Sequence, residues 1–437
     1  MPCSPRSELI HCSAGALLPT TGGLCAADID RLMDLIKERL TCPGLPPLLM
    51  RAPGATSLPD TLGQLQSLPE HCVVVVETSG STTGTGSLIA LGATHLRASA
   101  EATHAALAPS DGSPTGTPRW VTGLPTHHIA GFQVLVRSVL AGTTPVVADF
   151  SGGFSPAALA RACEEAAVGE EAAAHRKPGA AHSGSPGSLP YRVYTSLVPT
   201  QLHTLVDPRH RAAAATIAAH TSRILVGGAA LPARTAAAAQ ACGLAIVRTY
   251  GMSETAGGCV YDGRPLAGVR VAIENPDDAG CGRIILTGPM VTTGTLRTGD
   301  RGHLNADGTV RVLGRMDDVI ISGGVNVNPG QVESALDEAG YSAIIVGVPD
   351  ERWGQRVTAV VHANDPAVCD LAALLARMRA DLALLPAACQ PRAVVAVDQY
   401  PERGPGKIDR RKLTGLAAAE LAAGRGATHE PDRGQRA

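Results

Sequence analysis

Aromatic side chains are scarce in this chain of 437 residues: three Phe, six Tyr and two Trp make up 3 % of it. A core must therefore be built from Ala, Val, Leu and Ile, with little ring stacking. Basic runs are also missing. The formal net charge is −2 and no stretch is dense in Lys or Arg, which excludes an electrostatic nucleic-acid surface. The eleven cysteines are scattered, odd in number and without a CxxC pair. That spacing argues against a disulfide framework or a zinc site and fits reduced thiols. No segment holds about 18 uninterrupted apolar residues, and Met1 to Thr20 lacks a basic stretch joined to an apolar one. The expectation is a soluble, cytoplasmic protein without stable membrane association, as a monomer or a homodimer.

What is present is a globular composition, 44 % hydrophobic, and a length that predicts two or three domains. Ala26 to Leu40 has apolar residues at helical intervals and predicts a surface helix, followed by a loop over Pro43 to Pro59. Val73 to Val76 predicts a strand buried on both faces. It runs into Thr78-Ser79-Gly80-Ser81-Thr82-Thr83-Gly84-Thr85-Gly86-Ser87, hydroxyls and glycines that can wrap phosphate with backbone N–H groups or serve as a linker. The segment after His128 has helical spacing and ends at the glycine stop Gly142. Residues 162–190, rich in Ala, Gly, Ser and Pro, predict a flexible insertion. Leu244 to Val247 predicts a buried strand, after which Gly251 would let the chain turn before Ser253, Glu254 and Thr255. From Met316 onward an α+β pattern predicts helices over Pro329–Ala339 and Leu371–Leu384 and strands over Ser342–Val348, Arg356–His362 and Val394–Val397. Residues 423–437 predict a disordered tail.

Taken alone, a strand–glycine–polar loop is also an ordinary turn, and a Gly-Lys pair is also surface decoration. Together the motifs are more specific. Thr249-Tyr250-Gly251-Met252-Ser253-Glu254-Thr255 resembles the Y-G-x-[ST]-E motif of adenylate-forming enzymes, the superfamily of acyl-CoA ligases and adenylation domains. Leu296-Arg297-Thr298-Gly299-Asp300 resembles its T-G-D motif, Gly314-Arg315-Met316-Asp317-Asp318 its G-R-x-D-D motif, and Pro401 to Arg410 its P-x-x-x-x-G-K-I-D-R loop. The 78–87 run is similar to the phosphate loop [ST]-S-G-[ST]-T-G-x-P-K, with one extra residue around Thr83 and Gly86-Ser87 in place of Pro-Lys. His128-Ile129-Ala130-Gly131 through Arg137 to Gly142, Tyr194-Thr195-Ser196-Leu197-Val198, and the continuation Gly257-Gly258-Cys259-Val260-Tyr261-Asp262-Gly263 narrow the resemblance to o-succinylbenzoate–CoA ligases of menaquinone synthesis.

The resemblance covers roughly residues 70–412, and the region before its first motif is short for the family. It implies an α/β fold: a large multi-sheet N-terminal adenylate-forming domain (1–314) and a small α+β C-terminal lid (315–422) turning about Asp317. It implies ATP, Mg2+ and coenzyme A as co-substrates and cofactors. The catalytic residues would be Lys407, Glu254 (also the magnesium ligand) and His128. Nucleotide and CoA would be bound by Thr78, Ser79, Gly80, Ser81, Thr82, Gly84, Gly227, Gly228, Ala229, Tyr250, Gly251, Ser253, Asp300, Arg315, Gly323 and Gly324. The acid would meet His128, Arg137, Thr195, Ser196, Met252 and Gly257. Two alternatives are a ligase for another acid and a nucleotide-binding relative that has lost catalysis.

Overall fold

All four valines of the 73–76 run lie in the strand Cys72–Glu77 and are fully buried. Complete burial of one such side chain contributes about 1.5 kcal/mol or more, so this strand is a strong organiser. A computed structural model describes residues 9–23, 25–78, 86–109, 116–168, 191–364, 366–404 and 407–429. In it the valine strand takes a parallel neighbour, Leu48–Arg51, on one side and an antiparallel one, Leu88–Gly92, on the other, within a five-stranded sheet. The helix Ala26–Thr41 packs against the valine strand and buries Ile29, Leu32, Ile36 and Leu40, residues three or four apart.

A second sheet has seven strands, in the order Arg264–Pro265, Gly257–Tyr261, Ile246–Met252, Arg223–Val226, Tyr191–Leu197, Thr117–Thr122 and Val146–Val147. The five from Ile246–Met252 to Val146–Val147 run parallel, and Gly257–Tyr261 adds an antiparallel edge. Leu197 pairs with Val226 and Val226 with Arg248, so Tyr191–Leu197 and Arg223–Val226 end level, while Ile246–Met252 runs on past them to Met252. Loops at that end of a parallel sheet are the usual ligand-binding positions of α/β folds. The few rings are concentrated here: Trp120 and Tyr194 are register partners, with ring centroids 5.2 Å apart.

Several regions differ from the sequence expectations. The stretch Pro43 to Pro59, expected as a loop, contains the strand Leu48–Arg51, with Leu48, Leu49 and Met50 buried; its short apolar run sits among prolines and glycines that read as a connection. The helix Pro156–Ala167 continues past residue 162, with Ser155 accepting from the Ala158 N–H and Pro156 in the first turn. Its inner face buries Leu159, Cys163, Ala166 and Ala167, and small side chains hide that face from a hydropathy reading. Residues 169–190 lie outside the described part. At the other end, Gly426–Thr428 is a strand paired antiparallel with Ala393–Val397, so the described start of the expected tail is ordered. Backbone pairing holds it, which small and polar side chains do not announce.

The chain divides into two compact units. The first comprises 1–231, 235–271 and 285–296; the second comprises 232–234, 272–284 and 297–437. In the second, the helices Pro329–Glu338 and Leu371–Asp381 and the strands Ile344–Asp350, Gly354–His362 and Ala393–Val397 follow the expected pattern within a residue or three. Val332, Leu336, Ile345, Val357, Ala359, Leu374 and Met378 form their core. Among the described residues no helix is long and apolar enough to cross a membrane.

Candidate active site

In the first unit, the strand Ile246–Met252 carries Tyr250, Gly251 and Met252 as its last residues, with a register shift between Tyr250 and Gly251. Gly251 is thus inside the strand and not at a turn after it. Its requirement is for space: a Cβ there would collide with the Gly257 carbonyl of the antiparallel neighbour. The reversal comes later, in the 3-10 turn Ser253–Thr255 closed by Ala256. Thr255 staples the turn, its hydroxyl accepting from the Met252 N–H at 2.9 Å and lying 2.7 Å from the Gly257 carbonyl. Glu254 is half-buried, and its carbonyl accepts from the Thr292 N–H at 2.9 Å.

The neighbouring strand ends supply the other expected groups. Gly227 follows Arg223–Val226, where a Cβ would collide with the Thr249 hydroxyl; Gly228 has φ +88° and, with Ala229, is exposed. The Thr195 hydroxyl donates to the Val121 carbonyl at 3.1 Å and is buried, whereas Ser196 is half-buried. The Thr122 strand leads to Thr126-His127-His128, and His128 forms the N-cap of the helix Ile129–Ala141, which stops at Gly142 with φ 67°. The rings of His127 and His128 lie 4.2 Å apart, and burial pushes the His127 imidazole below its ordinary pKa.

Arg137 sits two and a half turns along that helix and is 4 % exposed. Its guanidinium lies 5.0 Å from the Trp120 ring, and burial works against its charge. Arg137 Nε has no hydrogen-bond partner among the described residues, nor does Arg137 form an ion pair there. A cation–π contact offsets only part of the cost of a buried charge. Burial, with the Arg137 cation as a smaller cause, lowers the His104 pKa to about 4, so His104 is neutral and accepts from the Trp120 indole at 3.3 Å.

Of the phosphate-loop candidates, Thr78 is described, while Ser79, Gly80, Ser81, Thr82 and Gly84 lie outside the described residues. The two ends of the loop are tied together: the Thr78 N–H donates to the Ser87 carbonyl at 2.8 Å, and the Ser87 N–H to the Thr78 hydroxyl at 2.9 Å. Ser87 is exposed, so a longer side chain fits there. Ser87→Lys, which restores the cation of the family pattern, is expected to lower KM for ATP or leave it unchanged. Initial-rate kinetics check this, and a large loss of activity would mean that Ser87 does not occupy the lysine position.

In the second unit, Asp300 and Arg315 face each other across the strands Thr295–Leu304 and Val310–Arg315. Arg315 lies 3.5 Å from the Asp300 carboxylate and makes a two-pronged contact with Asp317, at 2.9 and 2.8 Å. That hydrogen-bonded carboxylate, opposed by partial burial and helped by Asp300, holds the guanidinium pKa above its usual value. Gly323 and Gly324, with φ 60° and 81°, form the two-residue turn between Ile320–Ser322 and Val325–Val327, a hairpin geometry that wants positive φ at both positions. A Cβ on Gly323 would come within 3.0 Å of the Trp353 ring. Lys407 is exposed and opens the short strand Lys407–Ile408, paired with Glu402–Gly404. Asp409 then caps the helix Arg410–Ala422 by accepting from the Lys412 N–H.

Ser99 and Gln133 belong to none of the motif positions given a role above. Both are fully buried and reach the signature turn, Ser99 from the helix Ala93–Leu107 and Gln133 from the helix capped by His128. The available signal was a glutamine inside the run Gly131-Phe132-Gln133-Val134-Leu135-Val136, too apolar on both sides for an exposed polar residue.

These features can be set beside known proteins. The AMP-binding enzyme family pattern matches residues 193–296, which include the Gly227 loop and the Glu254 turn. The fold is that of solved adenylate-forming enzymes. An o-succinylbenzoate CoA synthetase from Bacillus subtilis, in complex with the acyl-adenylate OSB-AMP, aligns with a TM-score of 0.61 at 21 % identity, over 90 % of this chain and 87 % of that one. ATP-bound MatB from Rhodopseudomonas palustris aligns with a TM-score of 0.62 at 23 % identity, over 80 % and 68 % of the two chains. The class defined by fold and motifs is that of AMP-binding, adenylate-forming enzymes.

Within that class, the probable 2-succinylbenzoate–CoA ligase of Mycobacterium tuberculosis H37Rv is 37 % identical over 403 residues, 86 % of this chain and 93 % of the relative. The 2-succinylbenzoate–CoA ligase of Lactococcus lactis is 27 % identical, over 82 % and 75 % of the two chains. The chain belongs to the 2-succinylbenzoate–CoA ligase family.

Proposed function

We infer that the protein joins o-succinylbenzoate to coenzyme A in menaquinone synthesis, in the cytoplasm, as an acid–thiol ligase. ATP and the carboxylate give an acyl-adenylate and pyrophosphate; the CoA thiol then displaces AMP. The observation that carries the choice of acid is Arg137. A buried guanidinium without a carboxylate among the described residues is costly unless an anion reaches it. A diacid has a second carboxylate to offer after the first has reacted.

The other roles follow from the chemistry of each group. Asp300 offers carboxylate oxygens, acceptors only, suited to ribose hydroxyls, and Arg315 lies beside it. The Gly227-Gly228-Ala229 loop and Tyr250 suit a flat purine, and the loop opening at Thr78 suits phosphates. Among the described residues no cluster of three or more His, Cys, Asp or Glu side chains could hold a metal by itself. A magnesium ion arriving with nucleotide needs only one or two protein carboxylates besides phosphate oxygens; Glu254 would hold it. Bound there, the ion would supply charge neutralisation at the phosphates. Lys407 would offset the charge that builds as carboxylate meets phosphate, and His128, Ser196, Met252 and Gly257 would bound the acyl group. Gly323-Gly324, free of side chains, would leave room for the pantetheine arm. We assign residues 315–422 as the lid and Asp317 as its hinge.

Acid-dependent ATP–pyrophosphate exchange tests this reading: o-succinylbenzoate should outperform benzoate, fatty acids and amino acids. Arg137→Ala should raise KM for the diacid roughly tenfold or more, the loss of a charged hydrogen bond, and alter KM for ATP far less. An unchanged KM for the diacid would return Arg137 to a structural role.

A further inference from the structure

We propose that Ser99 and Gln133 are positioning residues for Glu254, acting through one carbonyl oxygen. The inference rests on the reading of Glu254 as the carboxylate that holds magnesium.

Ala256, two residues after Glu254, closes the signature turn in the left-handed region, with φ 50° and ψ 36°. A residue with a Cβ pays energetically for that conformation and keeps it only where its surroundings impose it. Here the imposing contacts are visible. The Ala256 carbonyl accepts from the Ser99 hydroxyl at 2.9 Å and from the Gln133 amide at 2.7 Å. These donors stand 157 and 123 residues away in sequence and come from two different helices. Ser99, Gln133 and Ala256 are each 0 % exposed, so water does not compete for that oxygen.

The orientation of the Gln133 amide follows from its neighbours. Both the Ala256 and the Leu96 carbonyls lie within reach of Nε2, at 2.7 and 3.4 Å, and carbonyls require a donor. The price is a Gln133 Oε1 with no partner among the described residues. Leu or Met at 133 and Ala at 99 would suit these buried helix faces better. The two polar groups have a common purpose only at Ala256. With the Thr292 N–H on the Glu254 carbonyl, the turn is fixed at Glu254 and again two residues later. A turn fixed at two points sets the direction of the Glu254 Cα–Cβ bond, which limits where its carboxylate can reach, as a magnesium ligand needs.

The test is the double variant Ser99→Ala/Gln133→Met, with the two single variants alongside in case the double folds poorly. Hydrogen exchange read by mass spectrometry should show faster exchange over residues 252–258. Calorimetry should show Mg–ATP binding weakened roughly tenfold, while binding of magnesium-free ATP changes little. In pyrophosphate exchange, the magnesium concentration at half-maximal rate should rise with KM for the acid unchanged. Adding Ala256→Gly should recover part of the magnesium affinity, because glycine adopts this conformation without strain although it is not held there. In a Glu254→Gln background the Ser99 and Gln133 changes should add nothing to the magnesium response.

Unchanged exchange over 252–258 would overturn the proposal. So would faster exchange with an unchanged magnesium response, which makes the two residues structural only. Hydrogen exchange and calorimetry need no acid, so a wild-type protein inactive on o-succinylbenzoate would refute the proposed substrate and leave this test readable.

Discussion

Lys407→Ala should abolish most adenylate formation, by a factor of roughly 100–1,000, while conversion of supplied acyl-adenylate to thioester stays within a fewfold of wild type. The magnitude is that of removing one preorganised electrostatic contact from a transition state where charge builds. Carboxylate and triphosphate are both anions, so the first half-reaction needs a cation on the attacked phosphorus. In the second, a thiol attacks an adenylate whose leaving group is already AMP, and that need is gone. Lys407 is exposed, on a two-residue strand, just before the Asp409-capped helix; the lid we propose would present it in the first step and withdraw it in the second. Stopped-flow pyrophosphate release and single-turnover thioester formation separate the steps. Equal loss in both would make Lys407 a general binding residue.

Asp317→Pro should fail in the opposite half. Proline holds φ near roughly −65°, whereas a hinge serving two half-reactions must take up a large backbone torsion change. Adenylation should survive, and thioester formation should fall by about a hundredfold, the cost of reacting groups misplaced by about an ångström. The substitution also removes the carboxylate that receives two hydrogen bonds from Arg315. Asp317→Ala is therefore the control: it loses that contact without fixing φ, and should retain most thioester formation. If Ala and Pro behave alike, the ion pair matters and the hinge does not. Circular dichroism would confirm that each variant folds.

The parts of this protein legible in sequence are those whose cause is local. Four consecutive valines, stiff at χ1, favour a strand buried on both faces, and here they form one. The helix after His128 announces its end at Gly142 because the left-handed cap is a property of that residue. Pro329 announces the start of the helix Pro329–Glu338 in the same way. The candidate site residues are named by motif resemblance, and the roles given to them are proposals.

The parts not legible have distant causes. Gly251 looks like a turn glycine, yet it answers to the Gly257 carbonyl on the adjacent strand. Ser99 and Gln133 are ordinary helix residues until the fold brings Ala256 to them. That Tyr191–Leu197 and Arg223–Val226 end level, with Ile246–Met252 running on beyond them, is a matter of register, which no single segment encodes. Pairing of Gly426–Thr428 with Ala393–Val397 is a backbone event with almost no side-chain signature.

The most direct test is the product itself. Purified protein should be given o-succinylbenzoate, ATP, Mg2+ and coenzyme A, with benzoate, a fatty acid and an amino acid as parallel substrates, and the products resolved by chromatography and mass spectrometry. The expected result is o-succinylbenzoyl-CoA in preference to every other thioester, with one AMP per thioester and no ADP. A clear preference for another acid, ADP in place of AMP, or an adenylate that never becomes a thioester would contradict the account.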